Sequence, residues 1–233
     1  MIDMKEDKIM SSYKMMIVAA AALAVAGMAW AQEEAAPAAP AEEAAPAMEA
    51  APAAAPAAAV PTGMKVTLPA KIYGNCEDEG DTPFVASGWM GSTDAIEFDD
   101  CWKENPHAGE SCIKVTFSDP KGWGGIAWQN PANNWGDDEG GVDLTGAKQL
   151  SFWARGDKGG EMVEFKMGII GKNKPVWDTG KASLGKIKLD ATWKQYVMPL
   201  AGKDMSRIVT GFVVVTQGRK DPVTFYVDDI VYE

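Results

Sequence analysis

From residue 63 onward, apolar and polar residues alternate over short stretches separated by clusters of Gly, Asp, Asn and Pro. In SCIKVTFS (111–118), Ile113, Val115 and Phe117 fall on one side, and Lys114 and Thr116 on the other. In LSFWAR (150–155), Leu150, Phe152 and Ala154 alternate with Ser151, Trp153 and Arg155. Val163, Phe165, Met167 and Ile169 alternate in the same way with Glu164, Lys166 and Gly168. A period of two is the signature of a strand with one buried face. Further strands are expected at 65–73, 94–98, 124–129, 184–189, 193–199, 207–216 and 223–232, and no stripe of helical period competes with them. Many short strands with turn signals between them predict an all-β fold, an antiparallel sandwich or barrel. The glycine-rich stretches GWGG and GDKGGE read as hairpin turns.

Upstream the pattern changes twice. Residues 15–31 form an apolar run after Lys14 that closes on Ala29-Trp30-Ala31. A basic flank, a short apolar stretch and a small-x-small end predict a secretory signal peptide over 1–31, removed rather than kept as a membrane span. Residues 32–62 contain 16 Ala, 6 Pro and 5 Glu, with no aromatic residue. Repeated proline interrupts helices and there is almost nothing to bury, so this stretch is expected to be a disordered spacer. The folded domain is then 63–233.

Charge and composition narrow the function. The chain carries 22 basic and 33 acidic residues, a net of −11, and 63–233 keeps 25 acidic and 19 basic residues, a net of −6. Such a balance offers no footprint for a phosphate backbone, so nucleic acid is not an expected partner. A single histidine, His107, excludes centres built on several imidazoles, and three cysteines cannot supply a four-thiolate zinc site. Export permits a disulfide. Cys76, Cys101 and Cys112 leave three possible pairings and one spare thiol, which spacing alone does not resolve.

The stretch KGWGGIAWQNPANNWGDDEGG (121–141) places Trp123, Trp128 and Trp135 among glycines, amides and carboxylates. A sugar ring has an apolar C–H face and a rim of hydroxyls, so it is bound by a flat aromatic with planar polar partners beside it. Trp123 and Trp128 could serve the sandwich core equally well. A second candidate surface is the polar side of 150–155, with Trp153 and Arg155, which Glu164 and Lys166 of the next strand are expected to extend; a packed Trp153 is the equal alternative, since loops often cover such faces. Trp177, in the loop NKPVWDTG, is a candidate rim contact.

Two acidic groups suggest a cation. Glu77 and Asp78 belong to the run 77–81, and adjacent carboxylates with loop carbonyls suit calcium, although no EF-hand spacing is present. Asp228 and Asp229 interrupt an apolar strand, so at least one must face inward or sideways and needs a partner. No nucleophile elbow, zinc-protease motif or phosphate loop is present, so no catalytic residue is assigned.

The order of motifs, from SGWMGSTDAIEFDD through FWARG and TWKQYVMPL to FYVDDI, resembles the galactose-binding-like jelly rolls found among bacterial carbohydrate-binding modules. That resemblance implies a two-sheet antiparallel jelly roll, a structural calcium near Asp228, Asp229 and the His107-Ala108-Gly109 loop, and a polysaccharide or surface glycan as partner. The expectation is a secreted or periplasmic, non-catalytic glycan binder using tryptophan platforms and polar clamps. The alternative is a structural cell-surface or envelope protein whose sandwich packs against other proteins.

Overall fold

A computed structural model describes residues 63–78 and 82–233. The predicted signal peptide and spacer lie outside these residues, as do positions 79–81. The strands, in chain order, are β1 (Met64–Lys65), β2 (Ala70–Tyr73), β3 (Val85–Gly91), β4 (Ile96–Trp102), β5 (Cys112–Phe117), β6 (Trp123–Gln129), β7 (Val142–Asp143), β8 (Gln149–Gly156), β9 (Met162–Met167), β10 (Ala182–Lys188), β11 (Lys194–Pro199), β12 (Thr210–Gln217) and β13 (Val223–Tyr232). Two single turns of 3₁₀ helix, Cys76–Asp78 and Thr93–Ala95, are the helical pieces. Among the described residues no helix is long and apolar enough to cross a membrane.

Two antiparallel sheets face each other. One has the order β10-β9-β12-β6-β3, and the other β11-β8-β13-β5-β4 with β2 also paired to β13. The inward parity follows the alternation in the sequence. Phe117, Phe152, Phe165, Phe212 and Phe225 are all buried, and the Phe152 ring centroid lies 4.6 Å from Phe165 and 5.1 Å from Phe212. Interdigitating inner faces of this kind make the core of a β-sandwich.

The alternation also conceals three features. β3 was not anticipated, because VASGWMG does not alternate and its pairing with β6 slips between Ala86 and Gly88. GWGG is not a turn. Gly124 and Gly125 are strand residues of β6, and Gly124 is needed because a Cβ there would sit 2.7 Å from the Phe117 ring. Nor does GDKGGE close a hairpin, since β8 and β9 belong to opposite sheets and the stretch carries the chain from one layer to the other.

The disulfide joins Cys76 to Cys101 and leaves Cys112 buried as a free thiol, pushed up to about 12 by burial. Closing a loop of this length contributes on the order of 3 kcal/mol. At the end of the sandwich beside Ile208, β1 runs parallel to β7, and Gly63 N–H donates to the Ser206 carbonyl. A Cβ at Gly63 would meet the Val142 backbone at 2.6 Å, which ties residue 63 closely to this end.

Candidate functional site

The outer face of the five-stranded sheet is built row by row from strand pairing. Paired residues project to the same side, so Lys186, Glu164, Val215, Gly125 and Met90 form one row across β10, β9, β12, β6 and β3. In the next row Lys188 opposes Met162, and Gln217 opposes Trp123. Around these two rows opens a groove of about 570 Å³, lined by Trp123, Met162, Glu164, Lys186, Gln217 and Arg219 among others. Its size lies within the range of small-molecule sites.

Trp123 stands at the start of β6 and is 47% exposed, and Met162 beside it is 44% exposed. The close approach of β3 fixes the base of Trp123. Gly91 has φ +74°, and a Cβ there would collide with the Trp123 carbonyl and stand 3.0 Å from the indole. A side chain at 91 would therefore be strained twice, by conformation and by contact. Glu164 is held in place by Lys166 Nζ at 3.0 Å and by the Ser183 hydroxyl, which donates to it at 3.3 Å. Arg219 donates to Glu161 at 3.4 Å. The groove therefore combines an open indole, an apolar thioether and positioned carboxylate, amide and cationic groups.

The opposite sheet also carries an outward indole, but it is covered. Trp153 faces away from the core on β8, as its parity predicts. The segment 103–111 between β4 and β5 folds over it, and His107 stacks on the indole with centroids 3.8 Å apart and planes 16° from parallel. Arg155 is buried, with its guanidinium 3.7 Å from the Tyr226 ring and 5.2 Å from Trp193. Glu164 and Lys166 do not extend this surface, because β9 is in the other sheet.

The remaining predicted platform residues lie elsewhere. Trp128 is 3% exposed and points inward, edge-on to Phe98 and Phe212, since it shares parity with Ile126; it is core and cannot stack on a ligand. Trp135 is half-buried in the loop after β6. Trp177 lies 4.7 Å from the Arg207 guanidinium, beside a small pocket near Asn130 and Gly141. Trp135 and Trp177 are thus at the far end of β6 and β12 from Trp123. The tryptophans expected to share one platform occupy separate places.

At Asp228 and Asp229 the pairing of β13 with β8 slips, and Asp229 takes a left-handed φ of +47°. This bulge lets both carboxylates reach the covering segment. Asp228 is fully buried and accepts from the backbone N–H groups of His107 at 2.9 Å, Ala108 at 3.3 Å and Asp229 at 2.8 Å. Burial nevertheless outweighs these amides and raises its carboxyl to about 6. Asp229 meets His107 Nδ1 at 2.7 Å. Among the described residues, His107, Asp228 and Asp229 form the cluster whose donor atoms could share an ion, and Glu77 is not in it; the Asp78 side chain lies outside what the structure describes. One imidazole with two carboxylates, of which Asp228 is already engaged by three amides, does not make up the all-oxygen shell that calcium takes.

With this geometry in view, the comparisons can be read. The chain is similar to solved carbohydrate-binding modules. A family 30 carbohydrate-binding module is 16% identical with a TM-score of 0.49, over 72% of this chain and 99% of that one. The family 11 module of the cellulosomal cellulase Lic26A-Cel5E of Clostridium thermocellum is 16% identical at a TM-score of 0.43, over 71% and 95%. TmCBM61, solved in complex with β-1,4-galactotriose, is 19% identical at 0.38, over 63% and 86%. No family model and no curated protein matches the chain. Likenesses this distant say nothing of what the chain binds, so the site is read from its own residues.

Of the residues singled out in the sequence, the groove takes Trp123 and Glu164. It also takes Met162, Lys186, Gln217 and Arg219, which sequence reasoning passed over. Met162 was within reach, since it shares the outward parity of Glu164. Lys186, Gln217 and Arg219 reach the groove through strand neighbours distant in sequence.

Proposed function

We propose that the domain binds glycans, without catalysis, in the groove on the outer face of the five-stranded sheet. The observation that carries this reading is the open indole of Trp123 at the mouth of a groove that also holds Met162, Glu164 and Gln217. Trp123 and Met162 offer apolar surface to the C–H face of a pyranose, while the Gln217 amide and the Glu164 carboxylate suit its hydroxyls. The groove spans three strand spacings from β10 to β6, about 14 Å, room for more than one sugar ring. The Cys76–Cys101 disulfide suits an oxidising compartment and supports export.

Affinity electrophoresis of the full chain through gels containing single polysaccharides tests the reading. Retardation by at least one polymer, abolished by Trp123→Ala and kept by Trp153→Ala, is expected. A chain that runs unretarded through every gel, or is retarded equally after Trp123→Ala, overturns it. Self-association or protein capture under the same conditions would favour the envelope-scaffold alternative.

A further inference from the structure

The groove is a local reversal of the protein's charge. The domain has six more acidic than basic residues, yet the charged groups lining the groove are Lys186 and Arg219 against Glu164, with Lys166, Lys188 and Glu161 on the same strands or next to them. The two carboxylates are already matched, Glu164 by Lys166 at 3.0 Å and Glu161 by Arg219 at 3.4 Å. Lys186 and Lys188 are exposed and have no carboxylate partner among the described residues. They project from the outer face of β10, in the same two rows as Glu164 and Met162. The unmatched Lys186 ammonium group thus lines the groove together with the open indole and the Arg219 guanidinium, and Lys188 stands next along β10.

A neutral glycan needs none of this. Hydroxyls are served by amides and carboxylates, whereas an ammonium group exposed on a ligand-facing wall is best satisfied by an anion. The surplus is also local enough to act. At physiological salt, charges more than about 8 Å apart are largely screened, so the acidic remainder of the surface does not cancel it.

We infer that the groove selects glycans carrying acid groups, with one sugar ring on Trp123 and the carboxylate or sulfate of a neighbouring ring on Lys186 and Arg219. This inference rests on the glycan-binding reading of the same groove. Lys186 is the residue that sets the preference, because its charge is not engaged elsewhere. Arg219 contributes while it still holds Glu161.

The test compares matched polymers in affinity electrophoresis and calorimetry with the full chain. Polygalacturonate is set beside its methyl-esterified form, which keeps the backbone and removes the charge. A sulfated galactan beside an unsulfated one separates sulfate from carboxylate. The charged member of at least one pair should bind about 10-fold tighter at low salt, and the advantage should shrink as salt rises. Lys186→Gln should cut that charged-to-neutral ratio roughly 5-fold, in keeping with a partly exposed charge pair. Lys203→Gln, on an exposed turn away from the groove, should leave the ratio alone. Thermal melting of each variant controls for folding.

If neutral members bind as well as charged ones, and binding still needs Trp123, the acid preference is overturned and the glycan reading stands. If charged polymers bind but Lys186→Gln and Trp123→Ala leave the affinity unchanged, attraction is non-specific and the inference fails. If nothing binds, both fall.

Discussion

On the six-stranded sheet, Trp153 lies beneath His107, and Arg155 beside it is taken up by Tyr226 and Trp193. On the five-stranded sheet, Trp123 has no aromatic neighbour across it among the described residues and stands 47% open, with Met162 lining the same groove. Both indoles project outward from equivalent layers of one sandwich. The difference lies in the connections. Residues 103–111 form a segment long enough to fold back over Trp153, and Asp228 and Asp229 hold it there through the His107 and Ala108 amides and the His107 ring. The chain reaches Trp123 through the tight turn 118–122, which bends away because Asp119 is tied to Ser92. An outward tryptophan therefore stays open only where no neighbouring loop reaches it. The acidic pair of β13 latches that cover in place.

The largest effect that sharpens this contrast lies within one strand. Trp128→Ala should cost about 3–5 kcal/mol, since it empties a packed interior, and should lower the melting temperature sharply. Trp123→Ala, five residues earlier, should change stability by no more than about 0.5 kcal/mol, as surface substitutions do. Equal losses in both would mean that Trp123 is core.

Next comes binding. Loss of one stacked indole is worth about 2 kcal/mol of contact, so Trp123→Ala should weaken affinity roughly 30-fold by calorimetry. Trp153→Ala should leave affinity unchanged while lowering stability. A reversed outcome would exchange the roles of the two faces.

His107→Ala removes the ring that roofs Trp153 and should cost about 1 kcal/mol, the scale of one hydrogen bond and one ring contact. Acrylamide quenching of tryptophan emission should rise with it, and glycan affinity should not follow.

The smallest effect is in pH. Asp228 keeps its proton up to about pH 6 in the fold, whereas an unfolded carboxyl releases it near 3.8. Between those values the folded state binds more protons, so this residue's contribution to stability grows as pH falls from 6 towards 4. Asp228→Asn, resembling the protonated form, should flatten that slope relative to the parent chain in melting curves. A slope of opposite sign would mean that a cation holds the carboxylate ionised.

Much of the sandwich can be read from alternation. β5, β8, β9 and β13 lie close to where the periodicity places them, because their inward residues are large and regularly spaced. β3 escapes because Ser87 and Gly88 interrupt its apolar positions and its bulge breaks the period. The partners of each strand escape too: β8 and β9 are neighbours in sequence and lie in different layers, so Glu164 was paired with the wrong face. Parity reveals that Trp153 looks outward, yet it is silent on what folds over it. Which carboxylates meet around Asp228 and Asp229 likewise depends on contacts far apart along the chain, so His107 joins them without any local signal. The open indole and its carboxylate neighbour were recognisable individually by composition. Lys186 and Arg219 were not, because nothing local distinguishes a groove lysine from a solvated one.

The short pairing of β1 with β7 fixes where residue 63 joins the sandwich, beside Ile208 and the start of β12. Trp123 pairs with Gln217 at the other end of that strand, about 23 Å along it at ordinary strand rise. Residue 63 and the open indole thus stand at opposite ends of β12, so the strand pair that anchors residue 63 leaves the mouth of the groove clear.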